Sequence, residues 1–198
     1  MDDIDPRFAL GGVLAEQHTR VGPEDVAGWL PNRLSWPEPS ERLWAALPRV
    51  VADPGLLRAI GRVIRRYEEE VVVATAPGDR VLVHGDLGLH NVALAPGTDE
   101  VAGVFDYEGA AWTDRHQDFR YLVFGHDKEE MLDGALEVYE LGTGQRLDRG
   151  RILLCNAAGA IGFLAYRCGT LPDERSCGRT LAEDLDWLGR VLRGLGEA

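Results

Sequence analysis

Residues 81–94 read VLVHGDLGLHNVAL. Two aliphatic runs, 81–83 and 92–94, enclose a polar loop that holds His84, Gly85, Asp86, Gly88, His90 and Asn91. Such flanks predict two short strands that present the loop at the edge of a core. A third strand-type run, 101–105, follows the turn APGT and ends at Asp106. A hairpin between the second and third runs sets the end of the third beside the loop. Asp86, Asn91 and Asp106 can then converge.

Two carboxylates and an amide oxygen are hard ligands, suited to Mg²⁺ rather than zinc or copper. Magnesium keeps several waters and is typically completed by substrate phosphates. Phosphoryl transfer needs such an ion, together with an acceptor-only group that orients a hydroxyl nucleophile. The arrangement H-x-D-x-x-x-x-N, followed by Asp after a strand, matches the catalytic and metal loops of the kinase pattern. A metallophosphatase reading of His84, Asp86, His90 and Asn91 requires further clusters for a second metal. His116 and His126, in a helical stretch and at its end, do not form them.

Outside this β-rich stretch the chain reads as helical. Apolar spacing predicts helices over 8–20, 40–51, 53–74, 116–125, 128–140, 148–168 and 178–195. Asp53-Pro54 is a start signal, an N-cap followed by Pro at the first helical position. The fold class expected is α+β, mostly helical, as one domain over 1–198 with a small β-hairpin insertion that carries the unusual polar residues.

The 198 residues carry a net charge of −12, which argues against a nucleic-acid partner because phosphate binding needs a basic face. The same charge reads first as a solvated acidic surface and second as a field that steers a cationic small molecule inward. No apolar run approaches the roughly 18 residues of a membrane span, and the acidic N-terminus MDDIDPRF has no apolar signal region. The expectation is a cytoplasmic protein without a membrane partner. Cys155, Cys168 and Cys177 follow no C-x-x-C spacing and read as reduced, structural thiols.

HGDLGLHN at 84–91, GVFDYEGA at 103–110 and DRHQDFRYL at 114–122 resemble the aminoglycoside phosphotransferase family, also called the phosphotransferase enzyme family. These kinase-like small-molecule kinases include antibiotic, choline and fructosamine kinases. The resemblance implies Asp86 as catalytic base and His84 as the anchor of the catalytic loop. It implies that Asn91 and Asp106 hold Mg²⁺, with ATP or GTP as phosphoryl donor. Asp118 matches an Asp that buttresses the active site from the following helix. Glu108 reads either as a neighbour of the metal or substrate or as a simple turn acid. His90 stands where Gly is common in the family, and Leu89 where Pro is common; His90 could approach a phosphate or only pack the loop. LGGVLAEQHTR at 10–20 is similar to the helix that follows the hinge between the family's two lobes.

The family's N-terminal lobe has no counterpart in these residues. No G-x-G-x-x-G occurs, and the only lysine, Lys128, follows the catalytic motif. The fold expected is therefore a protein-kinase-like C-terminal lobe alone, with the N-terminal lobe absent. Three readings stay open: a lobe completed by a partner or a second copy, a weak kinase with a reduced nucleotide site, or an inactive binding protein. The uncovered face calls for a homodimer, a partner lobe, or a lid made by Trp29, Leu30, Leu34 and Trp36. The acceptor expected is a small-molecule hydroxyl, such as that of a cationic aminoglycoside. Acidic residues at 127–140 read first as an exposed face, and Arg120 as the ion-pair partner of Asp118 or Asp114. Trp29, Trp36, Trp44 and Trp112 read as core anchors.

Overall fold

A computed structural model describes residues 6–28, 30, 40–97, 100–123, 129–169, 174–176 and 178–197. Trp29, Leu34, Trp36, His126, Asp127, Lys128 and Cys177 lie outside the described residues. The chain folds as two compact units, residues 1–35 with 75–152 and residues 36–74 with 153–198.

The first unit holds the β structure. It contains helix α1 (Pro6–Arg20) and the short α2 (Pro23–Val26), then strands β1 (Arg80–Val83), β2 (Val92–Leu94), β3 (Val101–Val104) and β4 (Ala111–Asp114). Helix α5 (His116–Phe119) runs into a 3₁₀ turn, Arg120–Leu122, and is followed by α6 (Glu129–Thr143). Strands β2 and β3 pair antiparallel with Val92 opposite Val104, which is the expected hairpin. Strand β1 pairs antiparallel with β4, Val83 opposite Ala111. The sequence reading did not anticipate β4. AWTD has two apolar residues in four and becomes a strand only because β1, some thirty residues earlier, supplies its ladder.

The two ladders are nested: the β2–β3 hairpin grows from the end of the β1–β4 pair. Between them the chain leaves strand geometry twice, at residues 84–91 and 105–110. These irregular segments face each other, and every site residue expected from the sequence except Asp118 lies on one of them.

Helix α1 packs along α6, and Leu10, Leu14, Ala15, Leu132, Ala135 and Tyr139 form a core with Leu87, Phe119, Leu122 and Ile152. The helices approach so closely that a Cβ on Gly11 would stand 2.3 Å from the Ala135 carbonyl oxygen. A smaller cluster of Val26, Leu82 and Ala110 takes in Leu30 and Trp112.

The second unit contains α3 (Ser40–Ala46), α4 (Pro54–Tyr67), the greater part of α7 (Arg149–Tyr166) and α8 (Leu181–Gly194). Asp53 caps α4 as expected, its Oδ1 accepting the Gly55 N–H at 2.7 Å. Residues Glu68–Val73 then widen into a π-helical stretch, so the single helix expected over 53–74 changes hydrogen-bond pattern partway. Trp44 is exposed rather than a core anchor; its ring lies over Gly61 and lines a cavity of about 440 Å³ with Arg58, Arg62 and Arg65. Tyr67 and Trp187 are buried aromatics here, Trp187 edge-on to Phe163 at 6.4 Å. Thr180 and Glu183 form a capping box at the start of α8. By length and composition residues 149–169 could cross a bilayer, but two thirds of the stretch is buried within the protein. Cys155 and Cys168 are free thiols.

Candidate active site

Four residues fix the loop that carries Asp86. The first is Gly85, with φ at +84°. A Cβ there would lie 2.4 Å from the Gly109 carbonyl oxygen, so the two irregular segments touch backbone to backbone. Only glycine meets both conditions.

The second is His84, fully buried. Its Nδ1 accepts the Asp86 N–H at 3.2 Å, which leaves Nε2 protonated to donate to the Phe105 carbonyl at 2.9 Å. One imidazole in a single tautomer thus ties the backbone of Asp86 to the residue before Asp106. Its ring also lies against Tyr107, 4.3 Å between centroids.

The third is Asp118, buried on α5. Its carboxylate accepts the backbone N–H groups of His84 at 3.0 Å and Gly85 at 2.9 Å. On its other side Gln17 Nε2 donates at 3.3 Å and His18 Nε2 at 3.2 Å. Burial pushes the Asp118 carboxyl up, but His18 and the two backbone donors outweigh it and hold the group below the ordinary carboxylate range. Tyr139 meets His18 Nδ1 at 3.0 Å and accepts from Arg115 at 3.2 Å, so the network continues into α6.

The fourth is Arg120, expected to pair with Asp118 or Asp114. It turns instead to the Gly85 carbonyl at 2.5 Å and to Gln117 Oε1 at 2.7 Å. Asp114 is engaged elsewhere, accepting from Thr75, Arg151 and His116. Burial raises the Asp114 pKa, and the His116 hydrogen bond and charge, with Arg151, drive it far below the usual value.

On this frame Asn91, buried, donates Nδ2 to the Asp86 carbonyl at 2.9 Å. With its nitrogen engaged, the amide keeps its oxygen as the remaining acceptor. The Asn91 carbonyl accepts the Phe105 N–H at 3.1 Å, which makes Asp106 the next residue along from Asn91's partner. Asp106 is exposed, and among the described residues it is the one non-glycine with positive φ, at +67°. Strain of this kind persists only where neighbours enforce it, and it concentrates at functional sites. Asp86 itself is 40% exposed, its Oδ2 lying 3.7 Å from His90 Nε2 and 3.5 Å from Asn91 Nδ2. Glu108 is exposed on the 3₁₀ turn after Asp106.

The structure therefore brings Asp86, Asn91 and Asp106 onto two facing segments, with His84 and Asp118 beneath them. Among the described residues no group of three or more His, Cys, Asp or Glu forms a ready-made metal cluster. An oxygen-ligand site of one carboxylate and one amide, completed by water and phosphate, does not need one. Gln17, His18 and Arg120 were not assigned to the site from sequence. For the first two a signal existed: positions 10, 14, 17 and 18 fall on one helical stripe, so two polar residues on the buried face require buried partners.

Comparison with known proteins gives the family and the fold. Residues 8–153 match the family described as the phosphotransferase enzyme family. Streptomycin 3''-kinase of Streptomyces griseus is 38% identical over 78 residues, which are 39% of this chain and 26% of that protein. Among solved structures, choline kinase from Streptococcus pneumoniae superposes with a TM-score of 0.66 at 14% identity, over 98% of this chain and 66% of that one. A spectinomycin phosphotransferase in complex with ADP and spectinomycin gives 0.61 at 13% identity, again over 98% and 66%. The chain thus spans just under two thirds of the length of these solved relatives. The fold is the kinase-like phosphotransferase fold, mostly helical with few strands, and the chain belongs to the phosphotransferase enzyme family.

Proposed function

We propose that this chain transfers the γ-phosphoryl group of ATP or GTP to a hydroxyl of a small molecule, with Asp86 as catalytic base. The observation that carries the reading is the shared anchorage of the two facing segments: His84 and Asp118 bind Asp86's loop, and His84 also binds the carbonyl before Asp106. Asn91 and Asp106 would hold Mg²⁺, since a free amide oxygen and an exposed, strained carboxylate are oxygen donors of the kind it prefers. When bound, that ion neutralises charge on the donor phosphates. The chain's own part is to hold the Asp86 side chain open to an incoming hydroxyl.

The acceptor proposed is a cationic alcohol of the aminoglycoside type. Support comes from the net charge of −12 and from the streptomycin 3''-kinase match, which is a relative's activity. We take these residues as the lobe that carries catalytic base and metal ligands. On this reading a nucleotide-covering partner, or a second copy, raises the affinity for ATP, and a reaction that uses ATP places the protein in the cytoplasm.

The test is phosphate transfer from γ-labelled ATP with Mg²⁺ to a panel of aminoglycosides, macrolides and amino alcohols. Wild type should label one acceptor class, and Asp86→Asn should lower kcat about 10²–10⁴-fold, the usual contribution of a general base. Acceptor binding without transfer would instead make the chain an inactive binding protein of the same fold.

A further inference from the structure

Gln17 links β1 to the segment that carries Asp106 with one side chain. It is buried on α1, and its Nε2 donates to the Leu82 carbonyl of β1 at 2.8 Å and to Asp118 Oδ2 at 3.3 Å. Its Oε1 accepts the Tyr107 hydroxyl at 2.8 Å. Chemistry fixes which way the amide points. A carbonyl and a carboxylate only accept, so the nitrogen faces them and the oxygen faces the phenol. Both N–H groups and the amide oxygen are thereby engaged, as a buried amide requires.

Tyr107 directly follows Asp106, which is therefore bracketed. On one side Phe105 gives its N–H to the Asn91 carbonyl and accepts from His84 Nε2. On the other, the Tyr107 ring lies against His84 and its hydroxyl is bonded to Gln17. Between them the Asp106 backbone is left-handed, φ +67°, a conformation that persists only where neighbours enforce it. The Ala110 N–H to Tyr107 carbonyl bond, 3.0 Å, closes the turn on itself and ties it to nothing else. Packing of the Tyr107 ring near Leu82 and Ala110 is apolar and carries no direction. The bond to Gln17 ties the turn to α1 in one direction.

We propose that Gln17 is a positioning residue for Asp106. Through the Tyr107 hydroxyl it holds the left-handed backbone in which the Asp106 carboxylate and the Asn91 amide oxygen serve one Mg²⁺. The metal in this statement rests on the phosphotransfer reading above; the clamp on Asp106 does not. Gln17 touches neither metal nor substrate, and acts through the phenol on the residue before it.

The experiment uses the full chain labelled with ¹⁵N and ¹³C. Tyr107→Phe keeps the ring against His84 and removes the hydroxyl alone. It should move the Asp106 ¹³Cα signal, and Gln17→Met should move it in the same direction; a signal unmoved by Tyr107→Phe overturns the proposal. Calorimetric titration with ATP over a series of Mg²⁺ concentrations reads the consequence. Tyr107→Phe should raise the Mg²⁺ needed for half-maximal binding about tenfold, the lower end of what groups behind metal ligands contribute. Its thermal midpoint should fall only by what one hydrogen bond is worth. The double variant should need no more Mg²⁺ than Gln17→Met, because one bond joins the two residues. Additive losses, or wild-type Mg²⁺ dependence in Tyr107→Phe, overturn the proposal. Tyr107→Phe decides alone if Gln17→Met does not fold. If wild type binds no nucleotide with Mg²⁺, the phosphotransfer reading falls, and the Asp106 signal still decides whether Gln17 holds that backbone.

Discussion

Gly85 concentrates the demands of the site in one residue. Its positive φ turns the chain out of β1, and its missing side chain lets the Gly109 carbonyl come close. Gly85→Ala should cost roughly 3 kcal/mol, combining left-handed strain with displacement of residues 105–110. Urea unfolding checks the cost, and transfer activity should fall further than stability alone explains. Asp114 and Asp118 make a different prediction at the same scale. Both have folded pKa values below the ordinary value of about 3.9, with burial opposing and hydrogen bonds from His116 and His18 prevailing. As pH falls, the unfolded chain takes up these protons before the folded chain does. Their stabilisation is therefore complete above about pH 5 and declines below pH 4. Urea midpoints measured from pH 6 down to pH 3 should fall in wild type, and with a shallower slope in Asp114→Asn. Equal slopes would show that Asp114 is not preferentially ionised in the fold.

Among the elements, α1 and α6 give the sharpest contrast. Gly11 and Gly12 interrupt the α1 pattern equally when read as sequence. In the fold Gly11 faces the Ala135 carbonyl at a distance no Cβ can occupy, whereas a Cβ at Gly12 would meet only Val138, at 3.9 Å. Gly11→Ala should destabilise by roughly 2 kcal/mol through overpacking. Gly12→Ala should be neutral or stabilising by up to about 1 kcal/mol, from helix propensity alone. Thermal unfolding of the two variants settles the packing. This pair also marks what sequence can and cannot tell. The helices and the β2–β3 hairpin are legible because apolar period and turn residues are local signals. Strand β4, the π-helical stretch after α4 and the use of Gly11 depend on partners distant in the chain. Asp86, Asn91 and Asp106 are likewise legible from one loop and its flanking strands. Their supports Gln17, His18 and Arg120 become visible only when α1 and the turn after α5 are placed beside that loop. Arg120 shows the limit plainly, since neighbouring acids on its own segment suggest an ion pair while the fold gives it a carbonyl.

For the whole molecule, the nested ribbon accounts for how a mostly helical chain presents Asp86, Asn91 and Asp106 on facing segments. Two short ladders hold two irregular segments face to face, and buried polar groups from α1 and α5 lock them from below. The measurement that bears most directly on this reading is calorimetric titration of the chain with ATP, with and without Mg²⁺, for wild type and Asp106→Asn. Asparagine tolerates the left-handed backbone at 106 while removing the charge. The expected result is nucleotide binding that requires Mg²⁺ and weakens at least tenfold in Asp106→Asn, with thermal unfolding unchanged. Binding that is the same without Mg²⁺ or in the variant, or no binding at millimolar nucleotide, would contradict it.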